Sequence, residues 1–301
     1  MNNRTPSVFE EALGCALADG FVATNVKLIR VFKDGLSHNT ALFESSETKF
    51  VLKSFRGREQ LSRQAIHAQV IASHYSLAPK VLYSSIEKRI LVCEFIDVPA
   101  LGQLCKNDAS NSQLVSIADA LGTLHNLEVG ADIESLGHFD IVGFCENYID
   151  TANDDIKRQH ELLLPTLIKF QKSATQVFSH NDLVADNIFC LENTVARNAP
   201  LKEGRAIFID WEYAQLNDPW FDLAAVIFYL GLKQSSTERF LNLYFLKCPD
   251  AKRNHYPKLI EATTVLLWGD VLWHLHNFGN DYQSKLKHKM DWLNQHALGL
   301  D

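Results

Sequence analysis

The chain has 301 residues, of which 47% are hydrophobic and 22% are charged, and its formal net charge is -7. This length fits one bilobal unit or two small domains, and the composition is that of a folded globular protein. The acidic balance, with no run of Lys or Arg between aromatic residues, argues against a nucleic-acid partner. No apolar run is long enough to span a membrane, and the N-terminus lacks the apolar core of a signal peptide. Since the six cysteines are scattered without a C-x-x-C pair, we expect buried thiols in a soluble cytoplasmic protein.

The first hundred residues have the pattern of strands interrupted by one helix. The segments "VKLIRVF", "TALFES" and "KFVLKSF" predict hairpin strands, residues 57–76 predict a helix, and "RILVCEFI" predicts a central strand. After Pro99 the spacing becomes helical, over residues 112–127, about 144–172, 219–233, 235–247 and 257–277. Short apolar strands with polar interruptions lie within "QVFSHNDLVADNIFCL" and "RAIFIDWEYAQLND".

This order predicts an α+β fold with two lobes. Residues 1–97 would form a small N-lobe with an antiparallel sheet and a helix, and residues 98–301 would form a larger, mainly helical C-lobe.

Two features of the predicted N-lobe are typical of phosphate binding. The turn in "KDGLSHNTALF" contains Gly35 and small polar residues, where backbone N–H groups can approach a phosphate, although a plain hairpin turn explains it equally well. Lys53 lies on a strand and shares a face with Val51 and Phe55. Its ammonium group must either reach solvent or neutralise an anion such as a phosphate.

Two features of the predicted C-lobe supply oxygen ligands and a base. Asp182 and Asn187 in "HNDLVADN" are too far apart in sequence to stack on one helical face, and Asp210 ends the apolar run "RAIFI". Each of these residues alone could simply cap a turn. Together with the turn and the strand lysine, and in this order, they match a phosphoryl-transfer site with a catalytic Asp and two metal ligands.

At this point the sequence resembles the aminoglycoside phosphotransferase/choline kinase superfamily, which has a bilobal protein-kinase-like fold. "HNDLVADN" resembles its H-x-D-x-x-x-x-N motif, and "FIDWEYAQLNDPWFDLAAV" resembles a segment of bacterial choline and thiamine kinases. "DGLSHNTALFE" resembles its nucleotide loop with His38 inserted, and "LGTLHNL" resembles its L-x-x-L-H helix.

The resemblance implies ATP and Mg²⁺ as cofactors and assigns the chemistry in the C-lobe. Asp182 would be the base or would orient the acceptor hydroxyl, and Asn187 and Asp210 would bind Mg²⁺. His180 and Asp222 would support the catalytic loop.

The resemblance also assigns the nucleotide site in the N-lobe. Lys53 would contact the α- and β-phosphates, and the loop with Gly35, Ser37 and Asn39 would cover the triphosphate. The glutamate that pairs with the strand lysine in kinases has no obvious counterpart, and Glu59 is our candidate.

The acceptor is expected to be a small cationic alcohol. A short segment separates Asp210 from Asp222, which leaves no room for a platform that binds a protein substrate. Aromatic faces and carboxylates attract ammonium groups, and the predicted acceptor pocket contains Trp211, Glu212, Tyr213, Trp220, Trp268 and Trp273. Each of these aromatic residues could instead belong to the core. Choline or ethanolamine is favoured, followed by thiamine, an aminoglycoside and a non-catalytic nucleotide-binding role, and the oligomeric state stays open.

Overall fold

The structure, a computed structural model, describes residues 5–32, 38–56, 59–104, 109–191, 204–252, 255–279 and 283–298. These residues form a small N-lobe built on one antiparallel sheet and a larger, mainly helical C-lobe. The predicted bilobal α+β fold is therefore confirmed. The boundary at residue 97 stays a prediction, and it lies between the last strand of the N-lobe and the first helix of the C-lobe.

The N-lobe contains α1 (Thr5–Ala18), β1 (Lys27–Phe32), β2 (His38–Glu44), β3 (Lys49–Phe55), α2 (Glu59–His74), β4 (Val81–Ser85) and β5 (Ile90–Glu94). The strand order is β1-β2-β3-β5-β4, and all neighbours are antiparallel. Thr40, Lys53 and Leu91 are paired across β2, β3 and β5 and therefore share one face of the sheet. Alternation places the paired Phe43 and Phe50 on the opposite face.

Helix α1 covers the face of the sheet opposite Lys53. The ring of its Phe9 lies 6.5 Å from Phe43, which stacks on Phe50 at 5.5 Å. Phe9, Ala12 and Ala16 are all buried and recur at helical spacing. The sequence analysis missed this helix, although the spacing that forms it is present.

The C-lobe contains α3 (Leu101–Leu104), α4 (Asn111–His125), α5 (Ala131–Glu134), α6 (Ile141–Ile149), α7 (Asp154–Ser173), β6 (Val177–Ser179), β7 (Ile188–Leu191), β8 (Arg205–Phe208), β9 (Gln215–Asn217), α8 (Pro219–Tyr229), α9 (Gln234–Lys247), α10 (His255–Phe278) and α11 (Gln283–Leu293). Strand β6 pairs with β9, and β7 pairs with β8. These two short ladders carry the loops that hold the polar motifs, and helices pack around them. A capping box between Ser110 and Gln113 fixes the start of α4.

The helical spacing predicted over about 144–172 is divided in the structure between two helices, α6 and α7. Asp140 caps α6 by accepting a hydrogen bond from Gly143 N at 3.0 Å. Asn153 caps α7 by accepting from Ile156 N at 3.0 Å. Each cap satisfies a backbone N–H that the start of a helix leaves unpaired, so each of the two helices begins at its own capping residue.

Backbone and side-chain hydrogen bonds join the two lobes behind the cleft. Phe208 N donates to Leu77 O at 2.8 Å, and Gln64 Nε2 donates to Leu136 O at 2.7 Å. Among the described residues, none of the helices has both the length and the apolar character needed to cross a bilayer.

Candidate active site

The loop between β6 and β7 carries the polar motif of the C-lobe. His180, a residue of this loop, stabilises it through hydrogen bonds of its ring. His180 is completely buried, and its Nε2 donates to the carbonyl oxygen of Ile209 at 2.9 Å. Nδ1 then accepts from the backbone N–H of Asp182 at 3.3 Å. Burial lowers the pKa of His180, which favours the neutral ring that this pattern requires.

Asp222 on α8 holds the same loop by accepting hydrogen bonds from its backbone. Its Oδ2 accepts from His180 N and its Oδ1 accepts from Asn181 N, both at 2.8 Å. His125 Nε2 lies 3.2 Å from Oδ2, while its Nδ1 lies 2.8 Å from the hydroxyl of Tyr244. The sequence analysis noted the helix that ends in His125 but assigned the histidine no role, because the contact joins distant parts of the chain.

Asp182 and Asn187 face each other across the loop. Asn187 Nδ2 donates to the backbone oxygen of Asp182 at 2.9 Å and to its Oδ2 at 3.1 Å. These bonds fix the orientation of the amide and leave its oxygen as the atom that can bind a cation. Burial, followed by the nearby carboxylates of Asp210 and Glu212, raises the pKa of Asp182 well above its usual value.

Asp210 follows β8 with φ 68° and ψ 62°, a left-handed conformation that is uncommon outside glycine. This backbone turns the carboxylate toward the N-lobe, where Lys53 Nζ lies 3.2 Å from Oδ1. Burial alone would raise the pKa of Asp210, but Lys53 and His38 lower it. Burial alone would lower the pKa of Lys53, but Asp210 raises it, so the pair is ionised.

His38, at the start of β2, lies beside this pair. Its Nε2 is 3.7 Å from Asp210 Oδ1, and its Nδ1 is 4.0 Å from Glu212 Oε2. Burial, together with the charge of Lys53, lowers the pKa of His38 to about 4, so its ring is neutral at pH 7. Ligand atoms of His38, Asp210 and Glu212 all lie within 4.8 Å of one another. The sequence analysis noted His38 only as an extra residue in the nucleotide-loop motif and gave it no role in the site.

The side-chain oxygens of Asn187 and Asp210 suit a divalent cation. Carboxylate and amide oxygens are the ligands that Mg²⁺ prefers, and the fixed amide of Asn187 and the carboxylate of Asp210 supply one of each.

The prediction that Glu59 pairs with Lys53 is wrong. Glu59 lies in the first turn of α2, where it is exposed, and its Oε1 is 3.5 Å from Arg63. Lys53 is paired with Asp210 instead. Deeper in the same helix, Gln69 is buried and lies beside Cys93, on the strand next to that of Lys53.

Of the predicted nucleotide loop, Gly35 and Ser37 lie outside the described residues. Asn39 is on β2 and pairs with Ser54, which places its side chain on the sheet face opposite Lys53. Its predicted contact with the nucleotide stays a prediction.

Three tryptophans predicted to line the acceptor pocket belong to the C-lobe core, where their exposed fractions are 1%, 3% and 0%: Trp211, Trp220 and Trp268. Their positions correct the prediction. Trp211 Nε1 donates to Phe208 O at 3.0 Å, and Trp268 Nε1 donates to His160 Nδ1 at 2.9 Å. These hydrogen bonds allow wide indole rings to fill the core without leaving an N–H unpaired.

A different set of aromatic side chains is only partly buried: Phe144, Tyr148, Tyr213 and Trp273. Tyr213 places this set beside the loop that carries Asp182, because its carbonyl oxygen accepts from Asn181 Nδ2 at 3.0 Å. We call these four residues the aromatic cluster. Phe144 lies 5.0 Å from Tyr148 and 5.9 Å from Tyr213, measured between ring centroids. Burial, together with the charges of Glu212 and Asp182, raises the pKa of Tyr213, and the neighbouring Trp273 lowers it in part. The sequence analysis identified Tyr213 and Trp273 and missed the two residues on α6.

Comparison with known proteins gives one family and several similar folds. Residues 28–259 match the family described as "Phosphotransferase enzyme family". The protein LicA of Haemophilus influenzae is 36% identical over 76 residues, which span 25% of this chain and 23% of that relative. The match therefore covers less than a quarter of the relative's own length.

Among solved structures, the choline kinase LicA from Streptococcus pneumoniae has a TM-score of 0.68 and 19% identity, covering 96% of this chain and 99% of that one. An ethanolamine kinase of Plasmodium vivax has a TM-score of 0.68 and 15% identity, covering 98% of this chain and 89% of that one. At these identities the likeness shows the fold. Since the family match covers most of the sequence, this chain belongs to the phosphotransferase enzyme family.

Proposed function

We propose that this phosphotransferase transfers the γ-phosphate of ATP to the hydroxyl of a small cationic amino alcohol, with choline as the favoured acceptor. The observation that carries the proposal is the aromatic cluster beside Asp182. A quaternary ammonium over such rings is attracted by about 2 kcal/mol or more when water is excluded. Similarity to choline and ethanolamine kinases supports the same class of acceptor.

Asp182 is the residue placed to receive the acceptor hydroxyl. Its carboxylate is fixed by the Asn187 amide at 3.1 Å, and its backbone N–H is held by His180. A raised pKa makes a carboxylate a better proton acceptor for a hydroxyl in the transition state. Most of the catalysis would be positioning, because phosphoryl transfer requires little covalent work from the protein.

Asn187 and Asp210 would hold Mg²⁺, which supplies charge neutralisation for the phosphates when it is bound. Lys53 lies within 3.2 Å of Asp210 and would neutralise phosphate oxygens from the N-lobe side. The nucleotide would then lie between the sheet and the catalytic loop, with its γ-phosphate toward Asp182.

Thiamine is the second candidate because the aromatic cluster could also stack on a cationic aromatic ring. Its primary hydroxyl would occupy the same position against Asp182.

The test is ADP release by the purified protein with ATP, Mg²⁺ and a panel of choline, ethanolamine, thiamine and an aminoglycoside. We expect turnover with choline and its loss in Asp182→Asn. Asp186→Asn is the matched control, because Asp186 is an exposed carboxylate of the same loop. Binding of ATP without turnover on any acceptor of the panel would contradict the proposal.

A further inference from the structure

Asp270 is a partly buried carboxylate that follows Gly269 on α10, and Gly269 lies against the ring of Phe144 in the aromatic cluster. Asp270 lies three residues before Trp273, so the two side chains share one face of the helix. Trp273 in turn lies beside Tyr213 of the aromatic cluster. The charge of Asp270 also contributes to the raised pKa of Asp182, after burial and two nearer carboxylates.

Both oxygens of Asp270 already contact donors from the protein, and Oδ2 contacts two. Oδ2 accepts a hydrogen bond from the Tyr229 hydroxyl at 2.6 Å and another from Lys289 Nζ. Oδ1 lies 2.6 Å from His274 Nδ1. A carboxylate oxygen has two lone pairs, so Oδ2 has none left for an incoming N–H group.

Lys289 also cancels the charge of Asp270. This lysine comes from α11, has an exposed fraction of 7%, and lies 5.3 Å from the centroid of the Tyr229 ring. Burial alone would raise the pKa of Asp270, but hydrogen bonds from His274 and Lys289 lower it, so the carboxylate is ionised and paired. A cationic ligand beside this pair is therefore not attracted by a net negative charge.

We propose that Lys289 determines acceptor specificity by occupying Asp270, so that the pocket selects quaternary over primary ammonium groups. The inference rests on the proposed function. A primary ammonium carries N–H donors that need acceptors, and burying them unpaired is unfavourable. A trimethylammonium group has no N–H and is bound by aromatic faces alone.

The wild-type test is kcat/KM for choline, dimethylethanolamine, methylethanolamine and ethanolamine with saturating ATP and Mg²⁺. We expect a stepwise decline as methyl groups are removed, reaching at least tenfold between choline and ethanolamine. Equal efficiency on choline and ethanolamine, or a preference for ethanolamine, would overturn the inference while leaving the proposed function intact. No turnover on any of these acceptors would instead refute the proposed function on which the inference depends.

The variant test is Lys289→Met, which removes one of the two donors to Asp270 Oδ2 and the positive charge that cancels the carboxylate. We expect the ratio of choline to ethanolamine efficiency to fall at least fivefold, mainly through a lower KM for ethanolamine. Lys289→Gln also removes this charge but keeps a polar side chain, so it should shift the ratio in the same direction if Lys289→Met fails to fold. Lys287→Met is the matched control, because Lys287 is exposed on the same helix. An unchanged ratio in a folded Lys289→Met or Lys289→Gln variant would show that the pairing does not set specificity.

Discussion

The contacts of Asp222 predict a large loss of stability when its carboxylate is replaced by an amide. In Asp222→Asn, one side-chain oxygen remains to accept from two backbone N–H groups, those of His180 and Asn181, which now lie at 2.8 Å from separate oxygens. The new NH₂ group would face a donor. The contact with His125 Nε2 at 3.2 Å would also weaken.

The expected magnitude follows from these three contacts. A hydrogen bond to a charged group contributes about 1.5–3 kcal/mol, and a buried donor left unpaired costs about 1–3 kcal/mol. We therefore expect the free energy of unfolding to fall by about 4 kcal/mol, within the range found when one partner of a buried charged network is removed. Proteins have a total stability of about 5–15 kcal/mol, so the variant should fold with a Tm lower by on the order of 10 °C.

The assay is urea unfolding followed by tryptophan fluorescence, with ADP release measured on the same samples. Asp291→Asn is the matched control, because Asp291 is an exposed carboxylate on α11. We expect Asp222→Asn to lose both stability and activity, since the loop it holds carries Asp182. A free energy of unfolding within about 0.5 kcal/mol of the wild type, the range of ordinary surface substitutions, would refute the reasoning.

Three further substitutions test other parts of the site. Lys53→Met should weaken nucleotide binding about tenfold to a hundredfold in calorimetry, since a charged hydrogen bond contributes about 1.5–3 kcal/mol. Glu59→Gln should leave the affinity for nucleotide unchanged. Equal effects of the two substitutions would contradict the pairing of Lys53 with Asp210 described above. Tyr213→Leu should raise the KM for choline at least tenfold with a smaller change in kcat, because a desolvated cation–π contact contributes about 2 kcal/mol, and an unchanged KM would count against the aromatic cluster as the ammonium site. Burial lowers the pKa of His160, whose Nδ1 accepts from Trp268, so the unfolded chain binds the proton first and stability falls as the pH drops below about 6.5. His160→Gln should therefore reduce the loss of unfolding free energy between pH 7 and pH 5, and an identical loss in both proteins would exclude His160 as its source.

Local patterns in the sequence predicted the lobes and most helices. Helix α4, for example, has apolar residues at helical spacing and begins at a serine that caps it. Residues close together in the sequence are therefore enough to predict this helix. The break between α6 and α7 was missed, because helical spacing continues on both sides of it and Asn153 alone signals the new start.

The positions of the aromatic side chains could not be predicted in the same way. Trp268 and Trp273 lie on one helix, yet the first is fully buried against His160 and the second is only partly buried, beside Tyr213. Which of them faces the cleft depends on where α6, α7 and α8 pack. Those contacts join residues far apart in the chain, so no short window of sequence contains them.

The ion pair between Lys53 and Asp210 has a thermodynamic consequence. It joins the two lobes, and in the proposed site each partner would be needed by a different ligand: the lysine by the nucleotide phosphates and the aspartate by the cation. Whichever ligand binds first would then break the pair and thereby free the residue that the second ligand requires. Binding of the two should therefore be synergistic, and by linkage the factor by which Mg²⁺ raises the affinity for nucleotide equals the factor by which nucleotide raises the affinity for Mg²⁺.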